Sequence, residues 1–77
     1  MENKIKEILG KVLQEDFKEK TLDEINMTTC EKWDSLAHLK IVISLEEEFD
    51  IEIEADQIYL MKNGAKQIKE IIEKKLN

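Results

Sequence analysis

Apolar residues recur at Ile5, Ile8, Leu9, Val12 and Leu13. This i, i+3, i+4, i+7, i+8 spacing is one helix face, and it predicts an amphipathic helix over residues 3–16. Gly10 lies inside the pattern and costs the helix about 1 kcal/mol relative to alanine. Residues 17–33, FKEKTLDEINMTTCEKW, keep no period. So long a loop is uncommon in a compact domain, but Leu22, Ile25, Met27 and Trp33 are spaced to pin it to a core, so it is read as ordered. A second helix is predicted over residues 35–49. The alternation in 50-DIEIE-54 is read as an extended connection that buries Ile51 and Ile53, because a single strand would have no partner. A short helical turn follows at 55-ADQIYLM-61. Asn63 is a candidate N-cap for a last helix carrying Ala65, Ile68, Ile71, Ile72 and Leu76, with Lys74 and Lys75 complementing the dipole at its end. The expected architecture is all-α, a small four-helix bundle with a long first loop and a short third helix, and residues 1–77 form one domain.

The second helix departs from simple amphipathicity. With Leu36 at 0° and about 100° per residue, Ile41, Val42, Leu45 and Phe49 fall at roughly 140°, 240°, 180° and 220°, one broad core stripe. Leu36 and Ile43 fall on the opposite side, near 0° and 340°, with Lys40 and Glu47 between them. A small apolar face rimmed by charge has the composition of a docking surface. The plainer alternative is that a neighbouring segment covers Leu36 and Ile43.

Composition narrows the function. A domain this small buries only about 60% of the surface of its unfolded chain, so an enclosed active site is not expected, and function should sit on the surface. The chain carries 18 Asp and Glu against 12 basic residues, all lysine, for a net charge of −6. That balance argues against nucleic acid and anionic membranes as partners and favours guided encounters with basic protein surfaces. The single cysteine, Cys30, excludes an internal disulfide and a cysteine-based zinc site; it is read as a packed loop residue. Neither a signal peptide nor a membrane span is legible, the longest apolar run being 41-IVI-43, so a cytoplasmic location is expected.

Candidate chemistry centres on Ser35. Ser35 or Asp34 reads first as an ordinary N-cap. A serine hydrolase would need a histidine base held by a third group; the one histidine, His38, falls near 200° on the core side, where it is read as a packed rim residue. No enzyme activity of the chain's own is expected, and no metal site, since 46-EEE-48 with Asp50 lacks the ligand spacing of a calcium loop. The setting of Ser35 is more telling. A helix N-terminus favours an anion, so an exposed hydroxyl there suits a phosphate-linked group added by another protein.

Asp34-Ser35-Leu36, followed by an amphipathic helix ending in 45-LEEEFDIEI-53, resembles the acyl carrier protein family over nearly the whole chain. The resemblance implies a 4'-phosphopantetheine esterified to Ser35 by a separate phosphopantetheinyl transferase drawing on coenzyme A, with an acyl group then held as a thioester on the terminal thiol. It implies that Asp34 helps the transferase and its metal ion engage the serine, and that acyl-loading and acyl-processing enzymes grip Leu36. It further implies that the bundle can shelter an apolar acyl chain between helices. The docking face is assigned to Leu36, Lys40, Ile43, Glu46 and Glu47. Trp33 before the motif, Ala37 and His38 after it, and Lys40 where the family commonly has an acid depart from the fatty-acid-synthesis pattern. They suggest a specialised pathway, such as polyketide, polysaccharide-decorating or aminoacyl-loading. The alternative is an unmodified acidic helical adaptor that binds a partner through the second helix. A monomer is expected, because the second apolar patch is small for an obligate interface.

Overall fold

A computed structural model describes residues 1–77. Four α-helices run in order: α1 Glu2–Leu13, α2 Ser35–Phe49, α3 Ala55–Leu60 and α4 Ala65–Leu76. A 3₁₀ turn at Leu22–Glu24 interrupts the first loop, and another at Met61–Asn63 continues α3. The fold is an all-α four-helix bundle of 28 × 23 × 19 Å. The core is Ile5, Ile8, Leu9 and Leu13 from α1, Ile41, Val42 and Leu45 from α2, and Ala65, Ile68, Ile71 and Ile72 from α4. The predicted core positions Val12, Phe49, Ile51 and Met27 pack at its edge, half-buried. Leu76, assigned to the apolar face of α4, is 48% exposed in the last turn of the helix, where no core residue of α1 or α2 packs on it.

The predicted C-terminal end of α1, residue 16, overshoots by three residues, while the helix begins one residue before the predicted start, at Glu2. The helix stops at Leu13 because Gln14 enters the left-handed region at φ 57°, and the Glu15 N–H reaches back to the Gly10 carbonyl at 3.1 Å. This closure also explains Gly10: a Cβ there would lie 2.6 Å from the Glu15 carbonyl oxygen. The glycine is required by the turn that ends its own helix. α2 ends the same way at Asp50, φ 52°, with the Ile51 N–H bonded to the Glu46 carbonyl at 3.1 Å.

The long loop is ordered by buried anchors and by its own hydrogen bonds. Phe17, Leu22, Ile25, Cys30 and Trp33 are buried. Thr21 and Glu24 form a capping box around the 3₁₀ turn. Asn26 Oδ1 accepts from the N–H groups of Thr28 and Thr29 at 2.9 and 3.1 Å, and the Thr29 hydroxyl donates to the Glu24 carbonyl at 2.6 Å. The Ile25 carbonyl then accepts from the Ala65 N–H at 2.9 Å, fastening the loop to the start of α4. That contact corrects the N-cap of α4: the cap is Gly64, at φ 128°, and not Asn63. A Cβ at Gly64 would lie 2.8 Å from the same Ile25 oxygen, so glycine is required by both the backbone angle and the close approach.

Candidate functional site

The site is built at the first turn of α2. Asp34 is the N-cap: its backbone is extended, and its Oδ1 accepts the Ala37 N–H at 2.8 Å. Ser35 therefore occupies the first helical position, exposed, and its hydroxyl has no intramolecular partner. The Ser35 and Leu36 N–H groups, among the orphan donors of a helix start, lie beside it with the positive end of the dipole.

An open groove of about 260 Å³ runs from Ser35 toward α3 and is lined by His38, Leu39, Ala55, Ile58, Tyr59 and Lys62. It is mainly apolar, with one cation at its far wall. Lys62 Nζ lies 5.6 Å from the centre of the Tyr59 ring. A larger hollow of about 470 Å³ lies beside α1, but its lining of Asn3, Lys6, Glu7, Glu15, Asp16 and Lys18 around one aromatic is mostly charged and shares no residue with the Ser35 groove.

His38 is more buried than a rim residue, at 2% exposure. Its ring lies nearly parallel to that of Trp33, with centroids 6.0 Å apart. Trp33 Nε1 donates to His38 Nδ1 at 3.0 Å, and His38 Nε2 lies 2.7 Å from the Ile58 carbonyl oxygen. The indole can only donate and the carbonyl only accept, so the imidazole carries its proton on Nε2. With its acceptor nitrogen held by Trp33, His38 has no lone pair free to take the Ser35 proton. The geometry is not that of a self-activated serine nucleophile.

The exposed stripe of α2 contains Leu36, Lys40, Ile43 and Glu47, at i, i+4, i+7 and i+11. Leu36 and Ile43 are 63% and 55% exposed, so no neighbouring segment covers them. The stripe widens through Leu39, 52% exposed, toward Tyr59 and Leu60 of α3. Glu46 stands apart from this line. It is half-buried, and its carboxylate accepts the Ile53 N–H at 2.9 Å, holding the connection to α3. Neither Lys40 nor Lys62 makes an ion pair.

No family model matches the chain, and it matches no curated protein and no solved structure. No helix is long and apolar enough to cross a membrane.

Of the site residues expected from sequence, Asp34 and Ser35 lie at the start of α2 and Leu36, Lys40, Ile43 and Glu47 along one exposed side of it. The sequence reading missed Leu39, Tyr59 and Lys62. Leu39 was legible in principle, since its wheel angle of about 300° lies next to Ile43. Tyr59 and Lys62 were not, because their approach to Ser35 depends on how α3 folds back.

Proposed function

We propose that the protein is an acyl carrier whose Ser35 is esterified by 4'-phosphopantetheine. The observation that carries this reading is the unengaged, exposed Ser35 hydroxyl at the first turn of α2, opening onto an apolar groove. Because Asp34 and not Ser35 caps the helix, accepting the Ala37 N–H, the Ser35 oxygen is free to form a phosphate ester without any loss of internal bonding. The phosphate would meet the Ser35 and Leu36 N–H groups and the helix dipole, with Lys62 across the groove. Leu39, Ala55, Ile58 and Tyr59 suit the thin, partly apolar arm that follows the phosphate. When bound, the group supplies a thiol that holds an acyl group as a thioester.

In this reading the chain itself performs no bond chemistry. Ser35 attaches the arm, and Asp34 holds the first turn and offers its second carboxylate oxygen to the transferase and its metal ion. Leu36 and Ile43 are large apolar side chains exposed on a face rimmed by charge, which is the surface a loading or processing enzyme would grip. Lys40 sets this face apart from a uniformly acidic one and favours a carrier with dedicated partners in a specialised pathway. The proposed setting is a monomer in the cytoplasm.

Intact-mass measurement after incubation with coenzyme A and a broad-specificity phosphopantetheinyl transferase tests the reading, beside the variant Ser35→Ala. A gain of one phosphopantetheine, absent in the variant, is the expected result. No gain with several transferases that modify a control carrier would sink it in favour of an unmodified acidic adaptor.

A further inference from the structure

The helix that borders the Ser35 groove is the least anchored in the fold. None of the residues of α3 is fully buried: Gln57 and Ile58 are half-buried, and Tyr59 and Leu60 are 71% and 41% exposed. Its N-cap Glu54 forms an ion pair with Lys75 at 3.8 Å, with the glutamate side chain 74% exposed, and such a pair contributes little. The fully buried Met61 anchors only the 3₁₀ turn beyond its end. Short segments with few buried contacts open at the low end of the stability range.

Against this background, His38 is unusual. Ile58 lies in the last turn of α3, where carbonyl oxygens can take side-chain donors. Its oxygen receives the His38 Nε2–H at 2.7 Å, a side-chain bond from α2 into α3. The donor is fixed rather than free to rotate. Trp33, itself 2% exposed, donates to Nδ1 at 3.0 Å with its ring 23° from the imidazole plane, which sets both the ring orientation and the tautomer. His38 and Ile58 also line the groove that starts at Ser35. We propose that His38 is a positioning residue that latches α3 to α2 at this groove and thereby sets how far the groove opens to a chain held on Ser35. The latch is geometric; only its bearing on a held chain rests on Ser35 being the attachment point.

Two variants divide the two bonds. His38→Gln brings an amide N–H near the place of Nε2, retaining the bond to Ile58 and losing the one to Trp33. His38→Asn brings an amide oxygen near Nδ1, retaining Trp33 and losing Ile58. Hydrogen exchange followed by NMR on the unmodified protein reads the latch through the Ile58 and Met61 amides, which bond to Glu54 and Gln57 in α3. Loss of one net hydrogen bond corresponds to about two- to tenfold faster exchange. That increase is expected in His38→Asn, with His38→Gln close to the wild type, and with the Leu9 and Ile68 amides of the core unchanged. Equal acceleration in both variants, or none in either, overturns the latch. If both variants loosen the whole core, the nitrogen shifts of wild-type His38 decide: a proton on Nε2 supports the arrangement, and one on Nδ1 overturns it. The bearing on a held chain is read with octanoyl-phosphopantetheine loaded on Ser35 from octanoyl-coenzyme A by a transferase, its thioester then cleaved by hydroxylamine to the hydroxamate and the free thiol. A looser α3 lets the apolar chain settle deeper between the helices, so cleavage should slow at least twofold in His38→Asn against His38→Gln. Equal cleavage despite altered exchange overturns the control of the groove. Failure to load Ser35 at all overturns the carrier reading, while the exchange result still judges the latch.

Discussion

Asp34 and Ser35 are adjacent, both polar and both able in principle to cap α2, yet the structure divides their work, and the division is measurable. The Asp34 carboxylate accepts the Ala37 N–H at 2.8 Å, and replacing such a cap by alanine costs about 0.5–2 kcal/mol. Loss of its charge near the helix dipole adds about 0.3–1 kcal/mol at an exposed site. Asp34→Ala should therefore lose about 1–3 kcal/mol in total. For a domain of this size, 1 kcal/mol moves Tm by about 4–8 °C, so the expected drop is about 4–24 °C. Ser35 is exposed in the first helical position, with no bond to lose. Alanine is also the better helix former by a few tenths of a kcal/mol. Ser35→Ala should thus hold stability within about 0.5 kcal/mol, or about 4 °C in Tm. Thermal and urea unfolding followed by circular dichroism give both values, and intact mass on the same samples reports modification. Ser35→Ala should unfold like the wild type and accept no phosphopantetheine; Asp34→Ala should melt early and accept it slowly. A drop in Ser35→Ala matching that of Asp34→Ala would refute the division, making Ser35 the cap and removing the structural reason to regard its hydroxyl as free.

Gly10→Ala should destabilise although the position is helical. Helix propensity alone favours alanine by about 1 kcal/mol, but the new Cβ would meet the Glu15 carbonyl oxygen at 2.6 Å, and overpacking of this kind costs about 1–3 kcal/mol; a raised urea midpoint would contradict the packing argument. Glu24 receives the Thr21 backbone N–H and hydroxyl, and these bonds, the backbone one first, hold its carboxyl below the usual range. A depressed folded-state value stabilises above the ordinary carboxylate range and is lost as pH falls through the folded value. The Tm advantage of wild type over Glu24→Gln should therefore shrink on acidification, and an advantage that is constant or grows would refute the assignment. Leu36→Asp and Ile43→Asp, at exposed positions, should leave stability within about 0.5 kcal/mol. They should slow modification of Ser35 by about tenfold or more, as expected when a partner loses a buried apolar anchor worth about 1.5–3 kcal/mol. Unfolding of either variant would show that it belongs to the core.

The parts of the fold legible in the sequence are those governed by periodicity. The spacing of Ile5, Ile8, Leu9 and Leu13 and of Ile68, Ile71 and Ile72 identified the buried faces of α1 and α4. The wheel of α2 separated Ile41, Val42 and Leu45 from Leu36 and Ile43. Helix ends were less legible, because they depend on single backbone angles: Gln14 at φ 57° has no side-chain signal, and Gly64 serves as the cap in place of Asn63 through its approach to Ile25. The same holds at the site. Ser35 stands out by its neighbours in sequence, whereas the groove requires residues from α3 and Met61–Asn63, and their meeting is a tertiary event. His38 shows the limit most clearly. Its wheel angle indicates an inward-facing residue but cannot show that both ring nitrogens are engaged by partners 5 and 20 residues away.

The placement of the site follows from how stability is distributed. α1, α2 and α4 supply most of the core, and α1 packs on both of the others. The Ser35 hydroxyl, the stripe through Leu36 and Ile43, and the exposed α3 side chains contribute almost nothing to it. The proposed carrier role would need this separation, because partners would grip one face and cargo would pass along one groove without unfolding the bundle. A buried hydrogen-bonded connection between the two regions is the Trp33–His38–Ile58 chain, which joins the end of the long loop, the first turns of α2 and the weakly held α3. Most of the surface around Ser35 is therefore free to vary with the partner, but Trp33 and His38 are not. A substitution there would change the core and the groove together.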